Sequence, residues 1–153
     1  LCRRSMYTFW KRQAPPASMM VLDAPNRVTC TASRPRTNTP LQALLLMNGV
    51  QYVEAARNLA QRLLVECKGT PEECIAFAFE LVTARKPAER EVAVLANLYQ
   101  EQLKIYGADP DAAKALITVG QSKPAEGIDP VNLAAWTLVA NTILNLDEAI
   151  TKI

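Results

Sequence analysis

TPLQALLLMNGVQYVEAARNLAQRLLVECKGTPEECIAFAFELVTA, residues 39–84, decides the fold class. It starts and restarts with one pattern. Thr39-Pro40-Leu41-Gln42 and Thr70-Pro71-Glu72-Glu73 each place a hydroxyl just before a helix, proline at its first position and Gln or Glu at its third. That spacing lets side chain and backbone satisfy each other's orphaned N–H groups, so it fixes two helix starts. Between them Val53, Ala56, Leu59, Ala60, Leu63 and Leu64 recur at helical spacing, with Glu54, Arg57, Gln61 and Arg62 expected on the opposite, solvated face. In the next helix Ile75, Ala76, Phe77, Ala78, Phe79, Leu81 and Val82 leave only Glu80 polar, which predicts a helix surrounded on all sides at the centre of a bundle.

Downstream the same punctuation continues. Asp109-Pro110 and Asp129-Pro130 offer carboxylate caps that also complement the positive end of a helix dipole, and Lys86-Pro87 marks a less definite start. Gly49, Gly69, Gly107 and Gly120 follow predicted helical runs, where a residue at positive φ can end a helix. The pattern predicts helices near 40–48, 51–67, 71–84, 88–106, 110–119 and 130–146, with almost no sheet and no internal repeat. Val92, Leu95, Leu98, Tyr99 and Tyr106 stripe the fourth of these, and Leu133, Trp136, Ala140, Ile143 and Leu144 the last. The fold class is therefore all-α, an irregular bundle of about six helices. Cys67 falls at the end of one helix and Cys74 about one turn into the next, across a tight Gly69-Thr70-Pro71 connection. That geometry permits a disulfide, the alternative being two small buried thiols.

Upstream the character changes. Residues 1–43 hold seven basic side chains against the single acid Asp23, whereas the whole chain of 153 residues carries a net charge of only +2. Ala14 to Pro35 contains four of the ten prolines and only short apolar groups, so it is expected to be extended and docked. Residues 3–12, RRSMYTFWKR, can form a short helix anchored by Met6, Tyr7 and Trp10. Residues 1–38 thus read as an extended basic arm and 39–153 as the bundle, together a fragment of one larger domain. Arg34, Arg36, Thr37, Asn38 and Thr39 stand immediately before a helix N-terminus, where free N–H groups and guanidinium forks can hold a carboxylate, sulfate or phosphate. The plainer reading makes Asn38 and Thr39 simple caps. Arg3, Arg4, Tyr7, Trp10 and Arg12, with Phe9, form a candidate aromatic and basic contact surface; core anchoring is the competing use of such rings. A single-strand nucleic-acid groove uses similar parts, but here they are dispersed along a proline-broken arm without a recognised motif, so nucleic acid is not an expected partner.

Composition removes whole classes of chemistry. The chain has no histidine, hence no Ser-His or Cys-His pair and no imidazole metal ligand of its own. Its cysteines, Cys2, Cys30, Cys67 and Cys74, form no CxxC pair. Glu72-Glu73 and Asp147-Glu148 resemble paired glycosidase carboxylates, but neighbours at helix ends are better explained by solvation and the helix dipole. No run is long and apolar enough for a membrane span. No catalytic residue, metal ligand or cofactor is assigned to this chain. Its opening, Leu1-Cys2-Arg3, reads as the interior of a longer polypeptide, so a missing leader does not indicate compartment.

RRSMYTFWKRQAPPASMMVLDAPNR, then CTASRPRTNTPLQALLLMN, QYVEAARNLAQRLL and FELVTARKPAEREVAVL, through LAAWTLVANTILNLDEAI, closely resembles the C-terminal part of the domain-of-unknown-function family numbered 1553. RTNTPLQAL is the most specific element. The resemblance implies the end of a large secreted multidomain protein of planctomycete or verrucomicrobial type, often carrying a cytochrome c domain. It therefore implies an extracytoplasmic setting, periplasmic or secreted, whose oxidising conditions would favour the Cys67–Cys74 bridge. On this basis the expected role is structural: docking against upstream domains of the parent polypeptide, with the arginine-bearing arm as the contact surface. Two rivals are a module binding sulfated polysaccharide, and one wall of an enzyme or redox site whose reactive groups lie upstream.

Overall fold

Four of the proline-marked helix starts carry their caps in the computed structural model, which describes residues 8–11, 13–33, 35, 37–125 and 127–150. The elements are α1 (Ala17–Val21), α2 (Pro40–Asn48), α3 (Val50–Glu66), α4 (Pro71–Thr83), α5 (Glu89–Ala108), α6 (Pro110–Ile117), α7 (Pro130–Leu144) and α8 (Asp147–Ile150). No strand occurs among the described residues. Thr39 Oγ1 accepts from the Gln42 N–H at 3.3 Å, and the Gln42 side chain accepts from the Thr39 N–H at 3.0 Å. Thr70 and Glu73 repeat the exchange at 3.3 and 2.9 Å. Asp109 caps α6 through the Ala112 N–H and Asp129 caps α7 through the Asn132 N–H, each at 3.0 Å.

Helix ends follow a different rule from the one expected. Gly49 ends α2 with φ −66°, and α4 is closed by Ala84 in the left-handed region at φ 59°. Gly107 lies inside α5, which continues to Ala108 because Asp109 can close α5 and cap α6 at once. Of the four expected stops, Gly120 alone has positive φ, at 104°.

The chain divides into two compact units, the first ending at Gly49 and the second beginning at Val50. Sequence grouped residues 39–48 with the bundle, whereas α2 belongs to the first unit and packs there with α1. Helix α1 also interrupts the stretch expected to be extended. Proline at 16 lacks only an N–H that a helix start does not use, and the next proline is Pro25, which leaves room for one turn. That turn ends at Leu22, with Asp23 in the left-handed region at φ 56°. Of the helix expected over 3–12, residues 3–7 and 12 lie outside the described residues, and residues 8–11 are not helical.

In the second unit α7 is the central helix, in contact with α3, α4, α5, α6 and α8. Leu133, Ala134, Ala135, Trp136, Thr137, Val139, Ala140, Asn141 and Ile143 are buried along it. This corrects the expectation that residues 71–84 occupy the centre: α4 buries Cys74, Ile75, Ala78 and Phe79 but leaves Phe77 and Leu81 exposed. The physical difference is charge and bulk. Pro130–Leu144 carries no ionised side chain and has three alanines, so neighbours can approach it closely from several sides. The Tyr99 and Trp136 rings meet at 4.8 Å between centroids, and the Tyr99 hydroxyl donates to Asn132 Oδ1 at 2.9 Å, which fixes α5 against α7. Ala56, Ala60 and Leu63 complete the core from α3, as their spacing predicted.

Candidate functional site

The residues before α2 form a polar hub. Gln42 is buried, and its Nε2 donates to Val21 O and Thr37 Oγ1 at 2.8 Å each and to Asp23 Oδ2 at 3.0 Å. Thr37 donates to the same Asp23 oxygen through its N–H at 3.0 Å and its hydroxyl at 2.6 Å. The Asp23 carboxylate is thus held by Thr37 and by the Gln42 side chain. Of the sequence-predicted anion site, Thr37 binds Asp23, Thr39 caps α2, Asn38 is exposed, and Arg34 and Arg36 lie outside the described residues. Asp23 and Gln42 are the members that sequence reasoning missed. Only the position of Gln42 in the capping box pointed toward either.

Of the aromatic and basic surface, Arg3, Arg4, Tyr7 and Arg12 lie outside the described residues. Trp10 is half-buried, and the guanidinium of Arg27 lies over its ring at 5.0 Å, a cation–π contact within the first unit. Phe9 is exposed. Arg27 owes its place to a tight turn in which Asn26 Oδ1 accepts from the Val28 N–H at 3.1 Å.

Helix α2 itself is oriented by this hub in an unusual way. Among the described residues of the first unit, Gln42 is the one that is buried. Leu41 and Leu44, at i and i+3, are 57% and 58% exposed, while Leu45 and Leu46 are half-buried. An apolar helix is therefore anchored by an amide and presents leucines to solvent.

In the second unit a pair assigned to the solvated face of α3 is instead buried. Arg57 is fully enclosed; its Nη1 donates to Ile117 O at 2.6 Å and its Nη2 to Ser122 Oγ. Glu54 accepts from Ser122 N–H at 2.8 Å, Ser122 Oγ at 2.5 Å and Gln121 N–H at 3.2 Å. These bonds, the Ser122 hydroxyl first, hold the Glu54 carboxyl at about 2, well below the usual carboxylate range. Gly120 permits the approach, since a Cβ there would collide with the Glu54 carboxylate. Charged residues three apart on a helix usually mark a solvated face, and the partners here lie 60 to 68 positions away.

Arg85 forms a second ionic junction, donating to both oxygens of Glu91 at 2.7 and 2.9 Å and to both of Glu148 at 2.5 and 2.8 Å. Glu148, read above as one of two adjacent acids, thereby ties α8 to the α4–α5 connection. Cys67 and Cys74 are joined by a disulfide with their Cα atoms 5.6 Å apart, closing the turn between α3 and α4. No group of three or more His, Cys, Asp and Glu that could hold a metal ion is found among the described residues, and none of their helices is long and apolar enough to cross a membrane.

Among the described residues the geometry defines an all-helical protein with an apolar helix anchored by a buried amide. Residues 1–99 match the family model described as PSD1, Protein of unknown function (DUF1553), and the chain belongs to that family. The matched segment ends within α5. No curated protein and no solved structure matches the chain.

Proposed function

We propose that this chain is a docking module at the end of a longer extracytoplasmic protein, held to the preceding part of the same polypeptide through the leucine face of α2. The observation that carries this reading is that α2 buries a glutamine and leaves Leu41 and Leu44 in solvent. Covering the exposed part of both side chains would contribute about 2 to 3 kcal/mol, enough to position an already tethered partner. The hub of Gln42, Asp23 and Thr37 sets the direction of that face before any partner arrives. The Cys67–Cys74 bond supports the compartment, since such bonds persist mainly in oxidising surroundings.

The test is a titration of this chain against the separately produced segment that precedes it in the parent protein. Leu41→Asp with Leu44→Asp is expected to weaken binding at least tenfold while leaving the helical circular dichroism and melting temperature close to the parent values. Equal binding by the variant, or no binding by the unmodified chain, contradicts the reading. Retention of both forms on a sulfated polysaccharide column, with no binding to the preceding segment, would replace it with polyanion recognition.

A further inference from the structure

An open groove of about 780 Å³ runs between α4 and α5. Ala76, Val92 and Ala96 are half-buried within it, and Phe77, also in its lining, is 36% exposed. Glu72, Glu73, Glu80 and Glu89 line it as well, against Lys86 as the one cation, a net charge of −3. Three of these acids sit in the first turn of α4 or α5, where a helix dipole favours them. Glu80 does not: it lies in the last turn of α4, where the dipole disfavours a carboxylate. Nor is the nearby Arg85 directed to it, since that guanidinium is committed to Glu91 and Glu148.

We infer that this groove receives a basic amphipathic helix from a partner protein. The apolar strip would take the partner's apolar face in the helix-in-groove manner, with anchors spaced at i, i+3 or i+4 and i+7. Charge complementarity selects the rest of the partner: lysines or arginines along its flanks reach the glutamates while their aliphatic stems cover Phe77. An acidic or neutral amphipathic helix would bring like charge or leave the glutamates uncompensated at the rim. This inference uses the second unit alone, so it stands or falls separately from the α2 reading.

The experiment uses the whole chain and two synthetic eighteen-residue amphipathic peptides, one of leucine and lysine and one with glutamate in place of lysine. Fluorescence anisotropy at low salt is expected to show binding of the lysine peptide and none of the glutamate peptide. Glu80→Lys with Glu89→Lys should weaken the lysine peptide at least tenfold. On the unmodified chain, that peptide should shift the backbone amide resonances of Ala76, Phe77, Val92 and Ala96. Binding of both peptides alike, binding of neither, unchanged affinity in the folded double variant, or resonance shifts confined to another surface would each overturn the inference.

Discussion

Glu54 on α3 and Ser122 in the loop between α6 and α7 share two hydrogen bonds, to the serine hydroxyl at 2.5 Å and to its backbone N–H at 2.8 Å. One carboxylate thereby gathers a loop that would otherwise expose its N–H groups, and it keeps the buried Arg57 company at 3.9 Å. Ion pair and loop closure are one structure.

This relationship sets a pH dependence. The Glu54 carboxyl is lowered from 4.5 to about 2, and Glu91, bonded by Arg85 and the Ala88 N–H, is lowered likewise to about 2. A depressed folded-state value means stability that is fully present above pH 4.5 and is lost as pH falls toward 2. The melting temperature should therefore drop through that window, and Ser122→Ala should make the drop shallower. A variant curve parallel to that of the unmodified protein would refute the assignment.

Arg57 and Arg62 lie five positions apart on α3 and should respond very differently. Arg57→Ala is expected to cost about 3 to 5 kcal/mol, because it strands the Ile117 carbonyl and the Glu54 charge in the interior. Arg62 pairs with Glu66 at 2.9 Å in solvent, so Arg62→Ala should cost under about 0.5 kcal/mol. Urea denaturation of both variants measures the contrast, and comparable losses would contradict it.

These contrasts explain which features were legible in the sequence. Helix starts were, because Thr39, Thr70, Asp109 and Asp129 act on N–H groups three residues away, within reach of a local pattern. The core stripes of α3, α5 and α7 were legible for the same reason. What escaped depends on long-range partners. Glu54 and Arg57 look like any solvated pair until Gly120 and Ser122 return to them, and Gln42 looks like a cap until Val21 and Asp23 supply its other bonds. Hydrophobic spacing likewise cannot tell a central helix from one with an open face: α4 and α7 are both strongly apolar, and only packing shows that Phe77 is left on the surface.

The Cys67–Cys74 bond should contribute about 2 to 3 kcal/mol by closing a short loop. Replacing both cysteines by serine is expected to lower stability by that amount, and mass spectrometry of protein folded under oxidising conditions and alkylated before digestion should recover the two linked. Recovery of both fully alkylated would contradict the bridge.

Caps can be tested without touching the core. Thr70→Ala removes the acceptor for the Glu73 N–H at an exposed position and should cost about 1 kcal/mol, read by thermal unfolding. Replacing the exposed Lys68, which caps nothing in α4, serves as the comparison and should leave the melting temperature unchanged. Equal effects would mean that the capping box does not hold α4.

The proposal that α2 is a docking helix is tested most directly by hydrogen–deuterium exchange over residues 41–48, compared between this chain alone and the longer protein that would contain it. Exchange there should be at least tenfold slower in the longer protein, with little change in the core amides of α7, because Leu41 and Leu44 gain a cover while the bundle remains as it is. Equal exchange of residues 41–48 in the two settings would contradict the account.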